Sequence, residues 1–239
     1  MKPKLYQFEA CPFCNKVKSI LDYKGVAYDT VEVNPLNMKE IEFSKDYDAV
    51  PIYIDSKGNQ VNDSTPIMRW IDQEFPERKV FRTDPAEAQK ENQWLEWSEK
   101  FVAGLPTVIY DSLPEALRSF DYITKVGKFG WLEKRVIKYS GALAMTLVAK
   151  KIRKREGIDQ PDLFVRQKTK EWTDGLSGHS FMGGDTPNGS DLAVFGIARS
   201  VAGLRAGKLF KENQEFDAWM KRMQESMEYQ TKGLDYAKS

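Results

Sequence analysis

Two cysteines three positions apart, Cys11 and Cys14, carry the strongest intrinsic chemistry in this chain of 239 residues. A thiol attacks only as its thiolate, and a thiolate is favoured where unpaired backbone N–H groups and the positive end of a helix face it. The run Ala10-Cys11-Pro12-Phe13-Cys14 creates that setting. Leu5-Tyr6-Gln7-Phe8 before it reads as a short strand, and Val17, Ile20 and Leu21 after it recur at helical spacing. Pro12 falls where the first helical turn needs no N–H, which leaves Cys11 at the helix start and Cys14 one turn inside. Cys11 is therefore the candidate nucleophile and Cys14 its more sheltered neighbour. The plainer reading, two cysteines that merely pack or scavenge metal, is disfavoured by the order strand, Cys-x-x-Cys, helix, which is that of a redox motif.

Two other short runs offer chemistry that complements a thiolate. Val50-Pro51 opens a strand; a cis peptide bond there would turn the Val50 N–H and C=O outward to pair with an extended peptide. An ordinary trans strand start is the alternative. Asp63-Ser64 stands at the N-terminus of a helix, where a carboxylate meets an ammonium group, and a hydroxyl with free N–H groups meets a carboxylate. A plain helix cap is the alternative there. Taken together, the thiolate, the backbone clamp and the amino-acid pocket match the thiol, the middle and the γ-glutamyl end of glutathione.

The elements that must hold these groups follow from patterning. Residues 28–33 alternate and are rich in β-branched types, a short polar helix is predicted near 38–44, and residues 50–54 form a third strand. Ser56-Lys57-Gly58-Asn59 is a hairpin turn into a strand at 60–62, and a helix spans about 65–75. The order βαβ-α-ββα implies a small mixed sheet flanked by helices. Residues 77–85 lack periodicity and read as a linker between a thioredoxin-like (glutaredoxin-like) glutathione-binding domain at 1–76 and an all-helical domain at 86–239. In that second part, 89–101, 114–125, 130–155, 162–176, 190–202 and 217–229 favour helix. Asn188 with Asp191 three residues on is an N-cap with an acidic partner, a folding device rather than a catalytic one.

Composition sets the outer limits. A formal charge of +1 gives no global attraction to nucleic acid or to an anionic surface, so no nucleic-acid partner is expected. Two cysteines are too few for a disulfide framework or for a four-ligand zinc site, which predicts a reducing, cytoplasmic setting and no metal. Met1 to Tyr6 lacks the apolar core of a signal peptide, and no run approaches the ~20 apolar residues that span a bilayer. Membrane contact, if made, is then peripheral.

A thioredoxin-like half followed by a helical half resembles the glutathione transferase superfamily, and the motifs are similar to its prostaglandin E synthase 2 family. Cys11-Pro12-Phe13-Cys14, Val31-Glu32-Val33-Asn34-Pro35, Val50-Pro51, Asn62-Asp63-Ser64, Ser119-Phe120-Asp121-Tyr122, Gly127-Lys128-Phe129-Gly130, Phe181-Met182-Gly183-Gly184 and Asp191-Leu192-Ala193-Val194 carry the resemblance through nearly the whole chain. It implies glutathione held by Phe13, Val50, Pro51, Asp63 and Ser64, with Cys11 beside the glutathione thiol, and isomerisation of prostaglandin H2 to prostaglandin E2. It also implies a homodimer. Haem is a second cofactor the resemblance implies, its iron bound by the glutathione sulfur and its propionates by Lys151 and Arg155, which lie four apart on one helix face. Two departures stand out: Phe8 replaces a tyrosine common in the family, and Ala103 stands near the family's histidine. The single histidine, His179, lies in a Gly/Ser-rich loop.

Residues 141–149 form an apolar stretch followed by Lys150, Lys151, Arg153, Lys154 and Arg155. A buried helix with a cationic end suited to its dipole is the leading reading, ahead of peripheral membrane contact and propionate binding. Three functions remain in view. The first is a glutathione-dependent isomerase acting on an endoperoxide or another electrophilic lipid. The second is a glutathione transferase or glutaredoxin-like thiol transferase, and the third a glutathione or haem–glutathione binding protein without turnover.

Overall fold

Four short strands, β1 (Lys4–Gln7), β2 (Asp29–Glu32), β3 (Ile52–Ile54) and β4 (Gln60–Asn62), form one sheet in the order β2-β1-β3-β4, in a computed structural model that describes residues 1–126 and 130–227. β1 and β2 run parallel, with Leu5 opposite Thr30, while β3 is antiparallel to β1 and to β4. Helix α1 (Pro12–Tyr23) makes the crossover between β1 and β2, and α2 (Ser64–Glu74) follows β4. The polar helix expected near 38–44 is a single 3-10 turn, Lys39–Ile41. β3 begins two residues later than the sequence suggests, because Pro51 has no N–H to give the ladder.

The rest of the described chain is helical: α3 (Pro85–Gly104), α4 (Pro106–Ile109), α5 (Leu113–Val126), α6 (Trp131–Glu156), α7 (Pro161–Leu176), α8 (Gly189–Ser200), α9 (Arg205–Glu212) and α10 (Gln214–Glu225). The mixed sheet with helices on its faces, followed by a helical bundle, is the fold class that patterning implies. Gly127-Lys128-Phe129 and the far end of the predicted last helix, 228–229, lie outside the described residues.

One core runs through both parts. α1 packs along α8, and the contact is close because Gly196 lets the backbone of Asn15 and Lys16 approach. Polar groups are matched across it: Arg199 Nη1 lies 2.9 Å from a buried Asp22 carboxylate oxygen, and Ser19 Oγ donates to the Leu192 carbonyl at 2.7 Å. Buried Lys16 reaches Glu99 on α3 at 2.5 Å and Thr65 on α2 at 3.0 Å. The predicted cap at Asn188 is present as a full capping box. Fully buried Asp191 also accepts from the N–H groups of Met182 and Gly183 and from Trp219 Nε1. The reading of 141–149 as a buried segment is corrected: Ala142, Thr146 and Ala149 are buried, but Leu143, Leu147 and Val148 face outward.

Candidate active site

Cys11 caps α1 with extended backbone angles, φ −74° and ψ 123°. Its N–H donates to the Phe8 carbonyl at 3.0 Å, and its carbonyl accepts from Asn15 N–H and Asn15 Nδ2, each at 3.0 Å. The backbone N–H groups of Phe13 and Cys14 point at its sulfur, and the Cys14 thiol donates to it. The Cys14 hydrogen bond is the strongest influence, and with those N–H groups and the Lys18 charge it outweighs burial to hold Cys11 below the ordinary thiol range. Cys14 moves the other way, its thiol pushed well up first by burial and then by Cys11. One cysteine is set to ionise and the other to keep its proton. Lys18, buried on α1, is balanced by Glu9 at 2.8 Å.

Val50 joins Cys14, Val33, Ile41 and Ile52 in a small apolar cluster, against which Cys11, Phe8 and Tyr47 pack. The Val50-Pro51 bond is cis, and Val50 lies outside the β-ladder, whose first paired residue is Ile52. Asp63 takes φ 67° at the N-cap of α2, and its carboxylate accepts from Ser64 N–H at 2.6 Å. Asp63 is exposed and Ser64 is buried, so the cap presents a carboxylate outward while the helix N-terminus stays fixed. Phe13 occupies a different place: its ring packs on the main core, with the Lys16 ammonium 5.9 Å from its centroid, and only its backbone serves Cys11.

Patterning gave no sign of Tyr47. Its hydroxyl accepts from Asp63 N–H and is pushed up to about 12, by burial first and then by the negative charge of Asp63 and of the cysteine pair. Tyr47 thus ties the α2 cap to the cysteine pair. Its loop position, three residues ahead of Val50, has no periodicity to announce it.

A cleft of about 470 Å³ opens beside Cys11 and Pro12. Its far wall is apolar, built from Phe120 and Ile123 of α5 and from Ile137, Ala144 and Met145 of α6. Tyr110, whose hydroxyl burial pushes up to about 12, also faces it. Where Phe8 offers no hydroxyl, Tyr47 and Tyr110 bring two to the neighbourhood. Glu9 and Glu32 line the near side; burial, and next to it the Glu9 charge, push the Glu32 carboxyl up against the hydrogen bonds it accepts from Glu9 N–H and Gln7 Nε2. In the sequence Glu32 stands out only as a member of a motif, because its approach to Cys11 arises only when β2 pairs with β1.

The donors suit glutathione: a carboxylate at Asp63 for the ammonium, the start of α2 with Ser64 for a carboxylate, the Val50 backbone for an amide, and the Cys11 sulfur for the thiol. They do not suit haem. Among the described residues no lysine or arginine lines the cleft. Lys151 and Arg155 lie beyond Met145 by about 9 and about 15 Å along the helix axis, and Arg155 pairs with Glu156 at 2.7 Å. His179 borders a separate small cavity with Arg82 and Asn188. The propionate contacts that the resemblance implies are therefore not assembled among the described residues.

Residues 5–79 match the family model described as glutathione S-transferase, N-terminal domain. A glutathione S-transferase from Rhodospirillum rubrum F11 superposes with a TM-score of 0.63 at 13% identity, covering 98% of each chain, which establishes the shared fold. Prostaglandin E synthase 2 of Mus musculus is 32% identical over 94% of this chain and 70% of its own length. The Danio rerio protein of that name is 31% identical over 96% and 72%. With the cysteine pair, the α2 cap and the helical half in the family's order, the chain belongs to the prostaglandin E synthase 2 family of the glutathione transferase superfamily.

Proposed function

We propose that this protein is a glutathione-dependent enzyme that isomerises prostaglandin H2 or a related endoperoxide or electrophilic lipid. One observation carries the reading: a favoured Cys11 thiolate stands at the edge of an apolar cleft and is linked through Tyr47 to a cap suited to an amino-acid end. The activity for which the mouse and zebrafish relatives are named supports the reaction class. When bound, glutathione would supply a sulfur that bonds one peroxide oxygen as the O–O bond breaks and leaves as a thiolate when that oxygen becomes the carbonyl, so the net redox change is zero.

The chain's own groups do the rest. Asp63 faces the ammonium of glutathione, and Ser64 with the first N–H groups of α2 faces its γ-glutamyl carboxylate. The Cys11 thiolate takes the proton of the incoming thiol. As the O–O bond breaks, that proton passes to the oxygen that becomes a hydroxyl. Glu32 would accept the carbon-bound proton whose loss turns the other C–O into a carbonyl as the sulfur departs, and this proton restores the thiol. Burial strengthens Glu32 as a base for this step. The apolar wall formed by α5 and α6 takes the hydrocarbon part of the substrate.

Calorimetric titration of reduced glutathione into the wild type and Asp63→Ala, with product analysis on prostaglandin H2, tests the reading. Saturable binding weakened by the substitution, and turnover lost in Cys11→Ser, are expected. A wild type that binds no glutathione removes the mechanism.

The hydrogen bond from Cys14 to Cys11 favours a second reading, thiol transfer through a mixed disulfide at Cys11 that Cys14 resolves. Cys14→Ser separates the two, since dithiol reduction needs the second sulfur and isomerisation does not.

A further inference from the structure

Helix α6 leaves an apolar face uncovered. Leu132, Val136, Tyr139, Leu143 and Leu147 fall within one narrow arc at about 100° per residue. Leu132, Tyr139, Leu143 and Leu147 are 60%, 61%, 58% and 60% exposed, so nothing described in the chain packs on them. A stripe of this length is not the scatter of single apolar residues that surfaces ordinarily show. Lys150 and Lys154 continue the same arc beyond Leu147, and Arg135 and Lys151 flank it. No ion pair engages these four cations among the described residues, although the chain as a whole is nearly neutral. Trp131, 72% exposed, stands at the head of the helix with the Arg135 guanidinium 5.6 Å from its ring.

We infer that this face of α6 docks on a membrane surface bearing anionic lipids. An apolar stripe with a cationic end and exposed Trp and Tyr lies naturally in the plane of the headgroups, side chains in the acyl boundary and ammonium groups on phosphates. Charge decides between occupants. An anionic leaflet neutralises these four cations, a match that a second copy presenting the same cations does not offer. No described helix is long and apolar enough to cross a bilayer, so docking is superficial.

The cleft-lining residues of α6, Ile137, Ser140, Gly141, Ala144 and Met145, centre about 130° around the same helix from the exposed stripe. One helix is thus the wall of the apolar cleft on one side and the docking face on the other. Supply of a lipid from the bilayer to that cleft rests on the function proposed above; the docking itself does not.

Co-sedimentation of the full chain with vesicles of phosphatidylcholine alone, and of phosphatidylcholine with phosphatidylserine, tests the inference without reference to catalysis. Binding confined to the anionic vesicles and weakened by salt is expected. Replacing Lys150, Lys151 and Lys154 together by Gln should weaken it about a hundredfold, at about fivefold for each lysine. Leu143→Glu with Leu147→Glu should abolish sedimentation while leaving circular dichroism and glutathione titration unchanged. A wild type that stays in the supernatant with both vesicles overturns the inference, as does binding that both variants retain. Light scattering provides the last arm: a wild-type dimer that Leu143→Glu/Leu147→Glu converts to monomer would make this face an interface between copies instead.

Discussion

Replacing Gly196 by Ala should loosen the seat of the reactive helix. A Cβ at that position would lie 2.4 Å from the Asn15 carbonyl oxygen, 2.6 Å from its carbon and 2.6 Å from Lys16 N. These are backbone atoms of α1 and cannot swing aside as a side-chain tip would. Ordinary contact requires about 3.5 Å, so α8 and α1 must part by roughly 1 Å. Overpacking of this kind costs up to about 3 kcal/mol, and the better helix propensity of alanine returns about 1 kcal/mol, leaving a net loss of about 2 kcal/mol. For a chain of this size that is a fall of about 4–8 °C in Tm. Because Asn15 holds the Cys11 carbonyl, the same displacement should disturb the N–H groups around the thiolate and slow its alkylation at neutral pH. Thermal denaturation and iodoacetamide kinetics on the wild type and the variant give both numbers. A variant as stable as the wild type, with Cys11 equally reactive, would refute the reasoning that this helix crossing positions the site.

Cys14→Ala removes the thiol that donates to Cys11 and should slow alkylation of Cys11 at neutral pH by about tenfold, a hydrogen bond to a charged group being worth about 1.5 kcal/mol or more. Asp191→Ala strips the acceptor from three backbone N–H groups and from Trp219, and should cost more than about 3 kcal/mol in urea unfolding, against about 1 kcal/mol for Asn188→Ala. Burial holds the Glu32 carboxyl up, so the folded state keeps its proton longer than the unfolded chain does. The stability this confers is full below the ordinary carboxylate range and is lost as pH rises through the raised value. Denaturation midpoints should therefore shift in favour of Glu32→Gln, relative to wild type, as pH rises above the ordinary carboxylate range.

What the residues disclosed in advance was local. The strand, Cys-x-x-Cys, helix order placed Cys11 at a helix start because a proline and an apolar period announce one, and Asn188-Asp191 spelled out its own cap. Two helices went unread. α4 is a single turn of four residues, too short to show a period, and α9 buries Ala206, Leu209 and Phe210 within eight residues, a pattern short enough to pass as loop. Glu32 and Tyr47 reach the cysteines only through β-pairing and loop packing, which spacing along the chain does not encode. Lys151 and Arg155 show the converse: four-residue spacing put them on one helix side, but nothing in the spacing says where that side points.

Helix α1 belongs to both halves of the molecule at once. Ten of its twelve residues are buried, and its charged positions are completed from elsewhere, Lys16 by Glu99 and Asp22 by Arg199. A hybrid made by grafting the sheet half of another thioredoxin-like protein onto this helical half would set foreign side chains against Gly196 and leave Arg199 facing whatever replaces Asp22. The two halves are therefore not interchangeable parts, and recombination within the superfamily should succeed only where the helix carrying the cysteines and the helix behind it are inherited together.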